Sequence, residues 1–278
     1  MKSLTIVSTY GPRYWPLPIQ KSLDTTESNW PGHARVLVYP DDMTQTVAKD
    51  RFEYYDLCKE QPSLKAFIER HANNPKLQRL GMKDYQFEYD AIRFSYKVFA
   101  CIDAYQKTKP DMLWYLDADI ITFEPIPMTW LEHIIPDQAF TSYLGRPKKG
   151  FSETGYYAFN TAHEYADEFF KRWQQYYDDD LFYNIQKGFL NTFPRAGYTD
   201  SFTFDAVRLE MEQAGKIQNE DLNDGRFGGM RKARHPFINS ELGQYMDHLK
   251  GFDRKDAMKS KKIDLTTKQT HAYWKDLK

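Results

Sequence analysis

Met112-Leu-Trp-Tyr-Leu-Asp117-Ala-Asp119-Ile-Ile121 is the stretch on which the reading of this chain turns. Five apolar and aromatic residues run without a break after Pro110, the length and flanks of a buried central strand in a parallel sheet. Open α/β sheets place their ligand sites beyond the carboxyl ends of such strands. Asp117 and Asp119 stand at that end, two residues apart. Carboxylates so spaced can share one hard divalent ion, Mg²⁺ or Mn²⁺, which takes oxygen ligands and often shares them with substrate phosphates.

Upstream of it, strands and helices alternate. Leu4-Thr-Ile-Val-Ser8 reads as a first buried strand, closed by Gly11-Pro12. Residues 18–28 read as a short helix, and Arg35-Val-Leu-Val-Tyr39 as a second strand ended by Pro40-Asp41-Asp42. Residues 49–80 read as helix in pieces, interrupted at Pro62 and Pro75. From Tyr85 to Tyr105 the pattern is helical, with Phe94, Val98, Ile102 and Tyr105 on one face. Downstream, residues 128–135 read as helix and 138–143 as strand, and Tyr156-Tyr-Ala-Phe159 reads as another strand. Thr161-Ala-His-Glu164 has the form of a capping box opening a helix whose apolar stripe is Tyr165, Phe169, Trp173 and Tyr177. A further helix spans about Ser201–Gln213, stopped by Gly215, with Asp200 placed to cap it. The expected class is α/β, a mostly parallel Rossmann-type sheet flanked by helices, with a less regular second half.

Bulk properties narrow the function. The chain has 278 residues, 41% hydrophobic and 28% charged, which suits one large folded domain and excludes a disordered one. Its net charge of −1 advertises neither nucleic acid nor membrane. That charge is uneven: Arg226 to Lys262 holds ten Lys or Arg against four Asp or Glu, a basic stretch able to face phosphates. Aromatic residues, 16% of the chain, suit packing first and sugar or base stacking second. Cys58 and Cys101 alone make no disulfide framework, so a reducing cytoplasm is the expected compartment. The N-terminal apolar run is too short for a signal peptide, and no stretch approaches the ~18 apolar residues of a membrane span.

A second motif lies far downstream, in Tyr245-Met-Asp-His248-Leu-Lys250-Gly251-Phe-Asp-Arg254-Lys255. A neutral imidazole at His248 can be a third metal ligand. Gly251 permits close backbone approach to a phosphate, and Lys250, Arg254 and Lys255 can bind diphosphate oxygens.

Together the two motifs carry a family resemblance. Asp117-Ala-Asp119 after an apolar strand resembles the Asp-x-Asp motif of GT-A-fold glycosyltransferases. His248-x-x-Gly251-x-x-Arg254 resembles the His-x-x-Gly-x-x-Lys element of glycogenin-like and galactosyltransferase-like retaining enzymes, with Arg in place of Lys at 254 and a Lys at 255. Arg93-Phe-Ser-Tyr-Lys97 and Glu153-Thr-Gly155-Tyr-Tyr-Ala-Phe-Asn160, with Asp200-Ser-Phe-Thr-Phe-Asp205, are similar to segments of bacterial and phage-type glycosyltransferases. The resemblance spans about residues 1–255 and implies one catalytic domain there: residues 1–125 holding a nucleotide-sugar donor, 126–255 completing the metal site and facing the acceptor, and 256–278 a charged tail.

The resemblance also implies roles. Asp117, Asp119 and His248 would bind Mn²⁺ or Mg²⁺. Thr9 and Tyr10 would face the nucleotide base, Asp41 or Asp42 the ribose or base, Arg93 and Lys97 the sugar or phosphates, and Asn160, Glu153 and Asp200 the sugar or acceptor. Asp200, Glu153 and Asp205 are the carboxylates able to act as a base if transfer inverts; the His-Gly element points to retention. The activity implied is hexosyl or pentosyl transfer to a hydroxyl, either on a glycan or envelope saccharide or on a hydroxymethylated base in DNA. The DNA acceptor would draw on Arg231, Lys232 and Arg234. Two other classes compete. A haloacid-dehalogenase-like phosphatase also sets Asp-x-Asp after a strand, but nearer its N-terminus and with Thr or Val where this chain has Ile121. A tyrosine-rich, non-catalytic sugar-binding module is the other.

Overall fold

The structure is a computed structural model and describes residues 1–12, 15–77, 86–146, 151–193, 195–223, 235–266, 269–275 and 277. The first strand, β1 (Leu4–Tyr10), leads through helix α1 (Ile19–Asn29) to β2 (Arg35–Pro40). Where helix was expected, Phe52–Tyr54 instead forms a short edge strand, β3, parallel to β2. Three residues are too few to display alternation, which is why the pattern did not reveal it. Helices α2 (Leu57–Glu60) and α3 (Pro62–His71) follow. Pro62, expected as an interruption, starts α3, where its missing N–H costs nothing.

Helix α4 (Ala91–Thr108) buries Val98, Ile102 and Tyr105 and feeds β4 (Met112–Leu116), buried along its whole length. Then come β5 (Ile120–Thr122), α5 (Met128–Ile134), β6 (Thr141–Leu144), β7 (Glu153–Asn160), α6 (Ala166–Asp178), α7 (Asp200–Gln213), β8 (Asn219–Asp221), β9 (Met246–His248) and α8 (Phe252–Ala257). The capping box expected at Thr161 does not form. Helix α6 starts five residues later with no side-chain cap, and the Thr161 hydroxyl donates to the Pro110 carbonyl. Asp200 does not cap α7 either; Thr199 holds that position, and Asp200 is spent elsewhere. Gly215 ends that helix at a positive φ of 69°.

Seven strands form the central sheet in the order β3-β2-β1-β4-β7-β6-β8. All run parallel except β7, which is antiparallel to both of its neighbours. The chain moves outward from β1 to β3 and returns to place β4 on the other side of β1. Diverging connections at that point open a crevice between the carboxyl ends of β1 and β4. The pleat divides the core in two. Val7, Leu113 and Tyr115 pack with α3, α4, α6 and α7; Leu4, Ile6, Met112, Trp114 and Leu116 pack with α1, α5 and the C-terminal segment. No helix among the described residues is long and apolar enough to cross a membrane.

The segment after Lys255 is anchored by aromatic residues. Tyr273 stacks on Phe123 at 4.0 Å, and the indole N–H of Trp274 donates to the Gly243 carbonyl. Asp247, fully buried in β9, accepts from the Ser260 N–H and hydroxyl and from the Tyr273 hydroxyl. Tyr273→Phe is expected to cost about 1–3 kcal/mol, because a buried carboxylate loses one of its donors. Urea unfolding measures this, and an unchanged midpoint would show that the bond contributes nothing.

Candidate functional site

The turn after β4 is tight: the Ile120 N–H donates to the Asp117 carbonyl, and the Asp117 N–H to the Gly155 carbonyl on β7. The chain then enters β5, which pairs antiparallel with β9 and sets Ile120 opposite His248. This two-stranded ribbon carries the imidazole across about 130 residues of sequence to the two aspartates. His248 Nε2 lies 3.3 Å from Asp119 Oδ1 and 3.8 Å from Asp117 Oδ2. One ligand atom from each of Asp117, Asp119 and His248 falls within 4.8 Å of the others, close enough to share one ion. The donor set suits a divalent cation. Asp119 Oδ1 and His248 Nδ1 are buried with no hydrogen-bond partner among the described residues, an arrangement that is costly without one. Burial alone would raise the Asp119 pKa; His248 and Lys255 outweigh it and hold this carboxyl far below the usual range.

Two lysines serve the aspartates. Lys97, on α4, reaches Asp117 Oδ1 at 2.6 Å and Asp200 Oδ2 at 3.7 Å, and donates to the Thr154 carbonyl. Burial opposes its charge, but Asp117 and Asp200 prevail and raise its pKa. Lys255 donates to Asp119 Oδ2 and to the Leu249 carbonyl. Its neighbour Arg254, the residue matched by the motif, turns away to a two-pronged bond with Asp264 and to Asp253. Gly251, at φ 89°, stands just before α8, and successive side chains on a helix point about 100° apart, so only one of the pair can face the aspartates.

A cleft of about 470 Å³ opens beside the aspartates at the carboxyl end of β1. Its lining includes Thr9, Tyr10, Asp41, Arg93, Lys97, Asp117 and Asp119. The Thr9 hydroxyl meets the Tyr115 hydroxyl at 2.8 Å, and Tyr115 donates to Asp117 Oδ1. Tyr10 stacks on Trp15 at 5.8 Å. Asp41, exposed as a residue, sets its carboxyl against Gly11: a Cβ there would lie 2.7 Å from its Oδ2. Lost hydration pushes the Asp41 pKa up to about 6, opposed by Arg93. Asp42 is half-buried and accepts from the backbone N–H and hydroxyl of Thr44.

The remaining residues divide. Glu153 is 4% exposed, capped by Arg146 and Lys250, with Oε1 3.6 Å from His248 Nδ1. Asp200 is 1% exposed and accepts from the Tyr157 hydroxyl, while its Oδ1 has no partner among the described residues. Asp205 faces away, bonded to the Ser152 N–H and hydroxyl and to Arg208; burial raises its pKa. Asn160 is not brought to the site. It ends β7 opposite Met112, roughly 23 Å along the strand from Glu153 at about 3.3 Å per residue, and ties down the loop at Asp137 and Ala139. Arg226, Arg231, Lys232 and Arg234 lie outside the described residues. Tyr115, Trp15, Gly155 and Arg146 went unremarked individually in the sequence. Only Tyr115 carried a signal, two residues before Asp117 and so on the same face of its strand.

No protein-family model matches the sequence, and neither does any curated protein. Among solved structures, the chain is similar to mouse xyloside xylosyltransferase 1 in its apo form, with a TM-score of 0.48 and 10% identity over 79% of this chain and 85% of that one.

Proposed function

We propose that the protein is a divalent-metal-dependent glycosyltransferase that moves a hexose or pentose from a nucleoside-diphosphate sugar to a hydroxyl on a saccharide, with retention. One observation carries the reading: an Asp-Asp-His set gathers at the carboxyl end of β4, beside a cleft at the switch point of the sheet. Asp117, Asp119 and His248 would hold Mn²⁺ or Mg²⁺, which supplies charge neutralisation at the departing diphosphate. The stacked rings of Tyr10 and Trp15 bind the base, and Asp41 accepts from the base or ribose. Lys255 leaves Asp119 for a diphosphate oxygen; it takes the role that the sequence motif would give Arg254. Lys97 holds Asp117 and Asp200 in place.

Retention is favoured because none of the three candidate bases stands open at the cleft. Glu153 is capped, Asp205 is turned away, and Asp200 is buried against Lys97. The anomer of the product, read by proton NMR, checks this.

The donor is tested by thermal shift with a panel of nucleoside diphosphates and nucleotide sugars, with and without Mn²⁺. A ligand at 100 times its Kd stabilises by about 2.7 kcal/mol, an easily read change in melting temperature. One nucleotide should stabilise strongly, and only with the metal. If no member of the panel moves the melting temperature, the donor site is wrongly assigned.

A further inference from the structure

We propose that Glu153 and Gly155 are positioning residues that seat the His248 ring, turning its Nε2 towards Asp117 and Asp119. The inference rests on the metal-centre reading above and deepens it. Gly155 supplies the space. A Cβ built on it would lie 2.5 Å from His248 Cε1 and 2.6 Å from Nδ1, closer than a side chain tolerates. The ring has nowhere to retreat. The Phe237 ring, fully buried, crosses it at 5.3 Å, and His235 crosses at 5.6 Å while donating from Nε2 to the His248 carbonyl. On the other side His248 is locked by its pairing with Ile120. The glycine is therefore required by an imidazole in van der Waals contact, not by its own backbone angles.

Glu153 supplies the orientation. Arg146 and Lys250 both hold its Oε2, which leaves Oε1 directed at Nδ1 from 3.6 Å. The negative Oε1, 3.6 Å from Nδ1 and beyond direct hydrogen-bond reach, favours the proton on that nitrogen and leaves the Nε2 lone pair free for a cation. Both residues lie on one side of β7, at the end where β4 delivers Asp117. The Glu-x-Gly spacing thus puts an acceptor and a gap against one face of the ring. Glu153 acts through His248 and need not touch the reacting atoms.

The test is titration calorimetry with Mn²⁺ alone, which needs no donor, acceptor or turnover. Gly155→Ala changes no charge and is the primary probe; Glu153→Ala is the second, should the first fail to fold by circular dichroism. Each is expected to weaken Mn²⁺ about 10–100-fold, the usual effect of losing a group that orients a ligating histidine. Gly155→Ala combined with His248→Ala should bind no more weakly than His248→Ala alone, since the glycine acts only through that ring. Parental affinity in both single variants, or additive losses in the double variant, would overturn the seat and leave the metal centre standing. If the parent protein binds no Mn²⁺ and Asp119→Ala changes nothing, the metal centre falls and the seat with it.

Discussion

Asp119→Ala is expected to lower glycosyl transfer by about 10³-fold at saturating Mn²⁺ and donor, because it removes the carboxylate nearest the imidazole. Charge neutralisation at a departing diphosphate contributes several kcal/mol, and about 1.4 kcal/mol is tenfold in rate. The loss should be in kcat as well as in metal affinity, since the charge develops only as the sugar departs. The variant must still fold for the result to count. Asp119 anchors Lys255 through one oxygen, and Lys255 retains the Leu249 carbonyl when that oxygen goes. Asp119→Asn keeps the shape and serves as the companion. Near-parental turnover in either variant, with Mn²⁺ removed or present, would sink the metal-dependent mechanism.

Lys97→Met should be the most destabilising change at this site, costing about 3–5 kcal/mol, the usual result of removing one partner from a buried ion pair. Lys97 lies between Asp117 and Asp200, and Asp200 is 1% exposed. Without the ammonium, the Asp200 carboxylate keeps only the Tyr157 hydroxyl among the described residues. Denaturant unfolding reads the loss. Lys97→Met with Asp200→Asn should recover much of it, because the buried charge is gone with its partner. Activity should stay low in that double variant, which separates folding from function. A single variant as stable as the parent would show that the three charges are not a coupled unit. The pH dependence has a definite sign. The Lys97 pKa is raised in the folded state, so its contribution is complete below the ordinary lysine value and is lost as pH rises through the folded one.

Much of this was legible in the residues. The run Met112–Leu116 announced a buried strand, and Asp117-Ala-Asp119 marked its carboxyl end as a place for a cation. The stripe of Phe169, Trp173 and Tyr177 announced a helix face, and all three residues are buried. What failed was local and short. A three-residue strand has no readable period, Pro62 begins a helix as readily as it breaks one, and Thr161 found the Pro110 carbonyl before it could cap anything. Hydroxyls and carboxylates choose among partners by distance in space, which adjacent residues do not record. Asn160, Asp205 and Arg254 are instances: each is polar, each sits in a suggestive segment, and each is bonded elsewhere.

The sequence alone determined the alternation of strands and helices, because apolar periodicity is written residue by residue and burial rewards it directly. It also placed two aspartates at a strand end. Only the tertiary structure decided which distant groups meet them. The β5–β9 ribbon, not any local pattern, brings His248 to Asp119. The start of α8 at Phe252 decides that Lys255 rather than Arg254 reaches the same carboxylate. The missing Cβ of Gly155 matters only because an imidazole from another strand occupies that space. Such facts arise from close packing and from the pairing of buried charges between segments far apart in the chain, and neither is a property of any single segment.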